Sequence, residues 1–197
     1  MVGVSSLTVL SGPSGVGKAT VIQHIRRQLP ELKWSVSFTT RAPRPGEADG
    51  IDYHFVSELE FDTAIADGTL LEWAVFNGNR YGTPRPPVGQ DVLVENGFDL
   101  AARDINSGQG AVAVKQNYPA ATLIWIMPPG GVALIRLVVL GRRLLRRGTE
   151  NSRVIAARLK IARQEMKLAP PFYDYVVVNR NAAKAAARIC DIITAAK

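Results

Sequence analysis

Cysteine is nearly missing from this 197-residue chain: Cys190 is the only one. One thiol cannot form an internal disulfide or a multi-cysteine zinc site. Without a disulfide framework, a reducing cytoplasm is the simpler compartment. Cys190 falls in an apolar pattern with Ile189, Ile192 and Ile193, and reads as a small buried hydrophobe. Long apolar runs are missing too. No stretch reaches the roughly 18 apolar residues of a membrane span; Leu123 to Met127 is short and is stopped by Pro128 and Pro129. The opening MVGVSSLTVLSG has no basic start, and its apolar stretch is of strand length rather than a signal-peptide core. Repeats and low-complexity tracts are also absent. At 47% hydrophobic and 21% charged, the composition is that of a folded chain and argues against disorder.

What is present is positive charge. The formal net charge of +7 suggests an anionic partner, whether nucleic acid, membrane surface or nucleotide phosphate, and charge alone does not choose among them. Arg142, Arg143, Arg146 and Arg147 cluster, but no aromatics are interleaved with them, as stacking on single strands would need.

Periodicity supplies the fold class. Leu7 to Leu10 reads as a strand, SGPSGVGKAT as a glycine-rich loop, and Val21, Ile22, Ile25 and Leu29 recur at helical spacing until Pro30. Short strands are expected in WSVSF and DYHFV, around the turn-rich RAPRPGEADG. Ser57 with Glu60 is a capping-box pair opening a helix over 57–68. Leu70 to Phe76 reads as a strand and the proline-bearing 77–90 as loop, with a helix around 89–96 and a strand around 98–105. Beyond these come a buried strand, Leu123 to Met127; helices over 132–147 and 150–168; a strand, Tyr175 to Val178; and a helix over 181–196. Alternating strands and helices imply an α/β fold with a parallel sheet. Ligands in such folds sit beyond the carboxyl ends of the strands.

Gly12, Pro13, Ser14, Gly15, Val16, Gly17 and Lys18 fit the phosphate-loop pattern between that first strand and helix. The glycines let successive N–H groups turn toward phosphate oxygens, the helix adds its positive end, and Lys18 offers a compact cation. Ala19 stands where a hydroxyl residue for magnesium is usual, and Thr20 supplies one a residue later. The metal is then expected to be held mainly by water and the nucleotide.

A second set of blocks is more particular. Ser35-Val36-Ser37-Phe38-Thr39-Thr40-Arg41-Ala42-Pro43-Arg44-Pro45-Gly46-Glu47 runs on into Gly50-Ile51-Asp52-Tyr53-His54-Phe55-Val56. Then come Leu71-Glu72-Trp73-Ala74 and Gly78-Asn79-Arg80-Tyr81-Gly82-Thr83. These resemble the GMP-binding signature of the guanylate kinase family over most of 5–84. The residue chemistry suits a nucleoside monophosphate. Arg41 and Arg44 can grip its phosphate with planar forks, and Tyr53 and Tyr81 can add hydroxyls. Glu72 can accept from the adjacent N1–H and N2–H₂ of guanine, which adenine lacks. Ser37 or Thr83 could meet O6. Phosphoryl transfer to an anionic phosphate needs no histidine base, so His24 and His54 read as structural.

Arg146-Arg147-Gly148-Thr149-Glu150, followed by Arg158, resembles the family's lid with its spaced arginine pair, and Val177-Val178-Asn179 its strand end beside adenine. The resemblance implies a P-loop nucleoside monophosphate kinase fold, with ATP and Mg2+ as cofactors and cytoplasmic activity. It implies a core at about 1–34, 85–140 and 157–197, a GMP-binding subdomain at about 35–84 and a lid at about 141–156, both of which would close on binding. Catalytic roles fall to Lys18, Arg41, Arg147 and Arg158. Gly12 to Thr20 and Asn179 would hold ATP, and Ser37, Arg41, Arg44, Tyr53, Glu72, Tyr81, Thr83 and Asn106 would hold GMP. Neither nucleic acid nor membrane is an expected partner.

The resemblance has gaps. Before Gln109-Gly110-Ala111 the family carries an aspartate; Asn106 falls near that position, with Asp104 as a shifted substitute. The stretch 130–147 is longer than usual, and Asn151-Ser152-Arg153 replaces more acidic residues. A non-catalytic phosphopeptide-binding module of the same fold therefore remains an alternative, as does a kinase for another phosphate ester.

Overall fold

The computed structural model describes residues 6–76, 78–87, 90–95, 110–147 and 151–196. The chain divides into two compact units, one comprising residues up to Thr8 with Leu32–Ala121, the other Val9–Glu31 with Thr122–Lys197. The described strands form two sheets, one of them five-stranded and one four-stranded.

In the first unit, β2 (Lys33–Ser35) pairs in parallel with β7 (Val92–Glu95), Trp34 opposite Leu93. The four-stranded sheet runs β4 (His54–Phe55), β3 (Phe38–Thr39), β6 (Asn79–Pro84), β5 (Leu70–Phe76). Helix α2 (Glu58–Ala66) starts as its sequence requires: the Ser57 hydroxyl accepts from the Glu60 N–H, and the Glu60 carboxylate accepts from the Ser57 N–H. Such a cap is worth about 1 kcal/mol. It seats Phe61 and Ala64 on Leu70 to make a small core.

Two expectations fail in this unit. Residues 79–84 are a strand, not loop. Gly82 explains why: a Cβ there would meet Leu70 Cδ1 at 2.7 Å and Phe61 Cζ at 3.1 Å, so glycine admits the core against the strand. Pro84 stands at the strand's end, where a missing donor is tolerated. Residues 92–95 are a strand, not a helix, since Val92, Leu93 and Val94 are all buried, the continuous apolar run of a parallel strand. The strand expected around 98–105 lies outside the described residues. Helix α3 (Gly110–Asn117), not anticipated, follows them.

The second unit carries β1 (Leu7–Ser11) from Val9 onward, α1 (Lys18–Gln28), β8 (Thr122–Met127), α4 (Ala133–Arg147), α5 (Ser152–Leu168), β9 (Tyr175–Val178) and α6 (Ala182–Ala195). β8 and β9 pair in parallel from Ile124 opposite Tyr175 to Met127 opposite Val178. Val21, Ile22 and Ile25 of α1, with Ile189, Ile193 and Cys190 of α6, are buried, so Cys190 is packing as expected. The observed architecture is thus α/β, with helices flanking a mainly parallel sheet.

Candidate active site

In the first unit, the strands and turns around β3 carry a guanidinium clamp. Arg41 faces Glu47 end-on, Nη1 to Oε2 at 2.9 Å and Nη2 to Oε1 at 3.1 Å, while Nη1 also donates to the Ala42 carbonyl at 2.6 Å. A guanidinium has five N–H donors. These contacts engage both terminal nitrogens, and Tyr81 is a further side-chain partner of Arg41. The Arg41 carbon lies 5.4 Å from the Tyr53 ring centroid and 5.6 Å from that of Phe55, cation–π range. Tyr53 and Tyr81 meet edge to face at 5.9 Å. Glu47 also accepts from the Arg44 N–H at 2.7 Å, while the Arg44 side chain is exposed. The Glu47 carboxylate raises the Arg41 guanidinium above its ordinary value, and Arg41 lowers that of Glu47 in return. Burial pushes Tyr53 up to about 12, so it is a neutral donor at physiological pH.

The expected guanine readers also converge. Glu72 is 7% exposed on β5 and Thr83 is 2% exposed on β6, paired in register. Thr83 Oγ1 donates to Glu72 Oε1, and the Gly110 N–H donates to Oε2 at 3.2 Å. These two donors fix the position of the buried carboxylate. Ser37 is half-buried just before β3, and its carbonyl accepts from His54 N–H at 2.9 Å. His54 stacks on Phe38 at 4.9 Å, in keeping with a structural role. Asn106 lies outside the described residues.

In the second unit, the loop after β1 enters α1 through Gly17 at φ 96°, a conformation side chains resist. A Cβ on Gly12 would come within 2.7 Å of the Ile126 carbonyl oxygen. Lys18 Nζ donates to the Gly12 carbonyl at 2.8 Å. The loop is braced through the Val16 carbonyl, which accepts from Arg143 Nη1 at 2.6 Å and Asn179 Nδ2 at 2.8 Å; Arg143 Nη2 reaches the Asn179 carbonyl at 3.0 Å. Arg158 Nη1 meets Ser14 Oγ at 3.2 Å. Pro13, Gly15 and Val16 are buried; Ala19 and Thr20 are exposed. The Arg147 side chain lies outside the described atoms.

Three participants carry no assigned role in the sequence reading. Glu47 sits inside the quoted block, Gly110 inside Gln-Gly-Ala, and Arg143 inside a basic cluster. Only the Arg143 signal was ambiguous, since a run of arginines does not show which one turns inward.

A glycine-rich loop at a strand-to-helix turn, in one chain with an arginine packed on tyrosine and a buried carboxylate, is the arrangement expected of a nucleotide-phosphate kinase. Comparison makes this particular. The guanylate kinase family model matches residues 5–196. A guanylate kinase of Thermobifida fusca is 47% identical, covering 96% of this chain and 89% of the relative. One of Streptomyces coelicolor is 49% identical over 88% of this chain and 82% of its own. The crystal structure of guanylate kinase from Anaplasma phagocytophilum superposes with TM-score 0.69 at 32% identity, over 98% of this chain and 86% of that one. The chain belongs to the guanylate kinase family.

Proposed function

We propose that the protein transfers the γ-phosphoryl group of ATP to GMP, giving ADP and GDP. The observation that carries the acceptor assignment is the buried Glu72 carboxylate, fixed by Thr83 and the Gly110 N–H. Guanine presents two adjacent donors to such a group, and adenine presents no such pair. Arg41, with Arg44, Tyr53 and Tyr81, takes the monophosphate, and Ser37 contributes to the guanine edge, as Asn106 does in the sequence reading. The acceptor phosphate is already an anionic nucleophile. Its oxygen bonds to the γ-phosphorus as the bond to the ADP oxygen breaks, and protein groups position and neutralise charge.

On the donor side, residues 12–20 cradle the triphosphate, Lys18 faces its outer phosphates, and Arg147 and Arg158 neutralise developing charge. Asn179, bonded to Val16, supports the loop backbone. Among the described residues no cluster of three or more acidic, histidine or cysteine groups could hold a metal, and Thr20 is exposed. Magnesium would enter with the nucleotide, as MgATP, and would supply charge neutralisation at the phosphates. No described helix is long and apolar enough to cross a membrane; we place the activity in the cytoplasm. The GMP-binding subdomain would span about 35–84 and the lid about 141–156.

A coupled assay for ADP release, with MgATP and GMP, AMP, CMP or UMP in turn, tests the proposal. ADP with GMP alone is expected. No turnover in a protein that binds GMP would favour the phosphopeptide-binding alternative.

A further inference from the structure

Helices α4 and α5 pack on one another, with Gly141 of α4 against Leu159 of α5. With the residues between them they hold the charge imbalance of the whole chain. Residues 133–168 contain ten lysines and arginines and two acids, a net of +8 against +7 for the entire sequence, so the rest is close to neutral. Two of these arginines turn inward, Arg143 to the Val16 carbonyl and Arg158 to the Ser14 hydroxyl. Arg142, Arg146, Arg153, Lys160, Arg163 and Lys167 are exposed.

Exposed apolar residues fall on the same two helices. On α5, Val154, Ile161 and Leu168 stand seven apart, a single stripe along the helix. Each is preceded by an exposed cation, Arg153, Lys160 or Lys167, so a basic row runs beside the apolar one. On α4, Leu134, Ile135, Val138 and Leu145 are exposed, and the helix has no acidic residue. The core is served by other positions, Leu140 and Leu144 of α4 and Ile155, Ala162 and Met166 of α5. Phosphoryl transfer does not call for the exposed rows. They lie partly where the family resemblance has gaps, in the longer stretch 130–147 and at Arg153.

We propose that the α4–α5 pair is a docking surface for an anionic lipid bilayer, on which the protein lies without crossing it. The cations set the sign of the partner, and the aliphatics set its kind. Duplex nucleic acid would take the cations but gains little from a row of valine, isoleucine and leucine, and neither helix carries an aromatic for single-stranded bases to stack on. A second copy would bring like charge against like, and a coiled coil needs two apolar positions in seven where the α5 stripe supplies one. Protein hot spots are built on aromatics seated in pockets, in interfaces depleted of lysine. A bilayer uses both rows: aliphatic side chains enter the headgroup boundary, and lysine and arginine stems lie along them with their charges among the lipid phosphates.

Co-sedimentation of the full chain with two kinds of vesicle tests this, one of phosphatidylcholine alone and one with about 30% phosphatidylglycerol added. Binding is expected to the anionic vesicles only, and should weaken at least tenfold between about 0.1 M and about 1 M salt. Lys160→Gln with Lys167→Gln should weaken it about tenfold, and Ile161→Ser with Leu168→Ser by about as much. All four positions are exposed, so circular dichroism should show the fold unchanged. Equal binding to neutral vesicles, or none to either, would overturn the proposal. So would a loss on fewer than both variant pairs, or displacement from the vesicles by an equal charge of duplex DNA or polyglutamate. A dimer in sedimentation that the Ile161→Ser and Leu168→Ser pair dissolves would assign the face to a second copy instead. Should a variant misfold, the response of the wild type to lipid charge and salt still decides.

Discussion

The two units of the molecule hold their polar groups in different ways. In the first, the central contacts join side chain to side chain: Arg41 grips Glu47, Thr83 donates to Glu72, and Arg80 pairs with Asp62 and Glu58, with backbone contacts from Arg41 and to Glu72 beside them. In the second, apart from Arg158 on the Ser14 hydroxyl, side chains at the loop hold backbone: Lys18 donates to the Gly12 carbonyl, and Arg143 and Asn179 to that of Val16. The lesson is a division of labour. A site made of side chains distinguishes one ligand from another by what those side chains offer. A site made of backbone accepts any phosphate of the right shape, and its side chains serve to keep the backbone folded. Base and acceptor selectivity should therefore reside in the first unit, and triphosphate handling in the second.

Substitutions can break or sharpen that contrast. Arg41→Ala should lower kcat/KM for GMP by about a thousandfold, the loss of several charge-assisted bonds, while KM for ATP moves less than twofold. Steady-state kinetics with each substrate varied checks this; equal damage to both would dissolve the division. Glu72→Gln should cost on the order of a hundredfold in discrimination between GMP and AMP, because an amide offers a donor where guanine also donates. Competition between the two monophosphates reads it out. Glu47→Gln should raise KM for GMP about tenfold, since Arg41 loses its end-on anion partner; calorimetric titration with GMP would show the effect as a weaker Kd with unaltered ATP binding.

The smallest effect concerns stability. Glu165 has a folded-state value of about 7 against an ordinary 4.5, with Lys18 opposing the shift and the buried Tyr173 phenol adjacent. Between those values the folded form keeps a proton that the unfolded form has lost, so the contribution is full below 4.5 and is lost as pH rises through 7. It amounts to about 3 kcal/mol at most. Urea unfolding of the wild type across that window should show declining stability, and Glu165→Gln should flatten the decline.

Local rules carried much of the fold. The capping pair of α2 and the strand Tyr175–Val178 were legible because the signal is contained in a few neighbouring residues. The strand at 79–84 was not, because proline and glycine argue locally against it, whereas its existence depends on pairing with β5 and on the space Gly82 leaves for Phe61 and Leu70. Val92–Glu95 misled because a short apolar run has no period of its own. At the candidate site, type and spacing singled out Arg41, Tyr53, Tyr81, Glu72 and Thr83, and the structure brings Arg41 near Tyr53 and pairs Glu72 with Thr83. Glu47 and Gly110 lay inside quoted blocks without a role of their own, because each acts by holding another group; Arg143 was hidden in a run of arginines that does not show which one turns inward.

The most direct measurement is a pair of binding titrations on Lys18→Met, one with GMP and one with a fluorescent ATP analogue. The account predicts GMP affinity within twofold of wild type and analogue affinity at least tenfold weaker. GMP affinity falling in step with that of the analogue would contradict it, because one site would then be reading both phosphates.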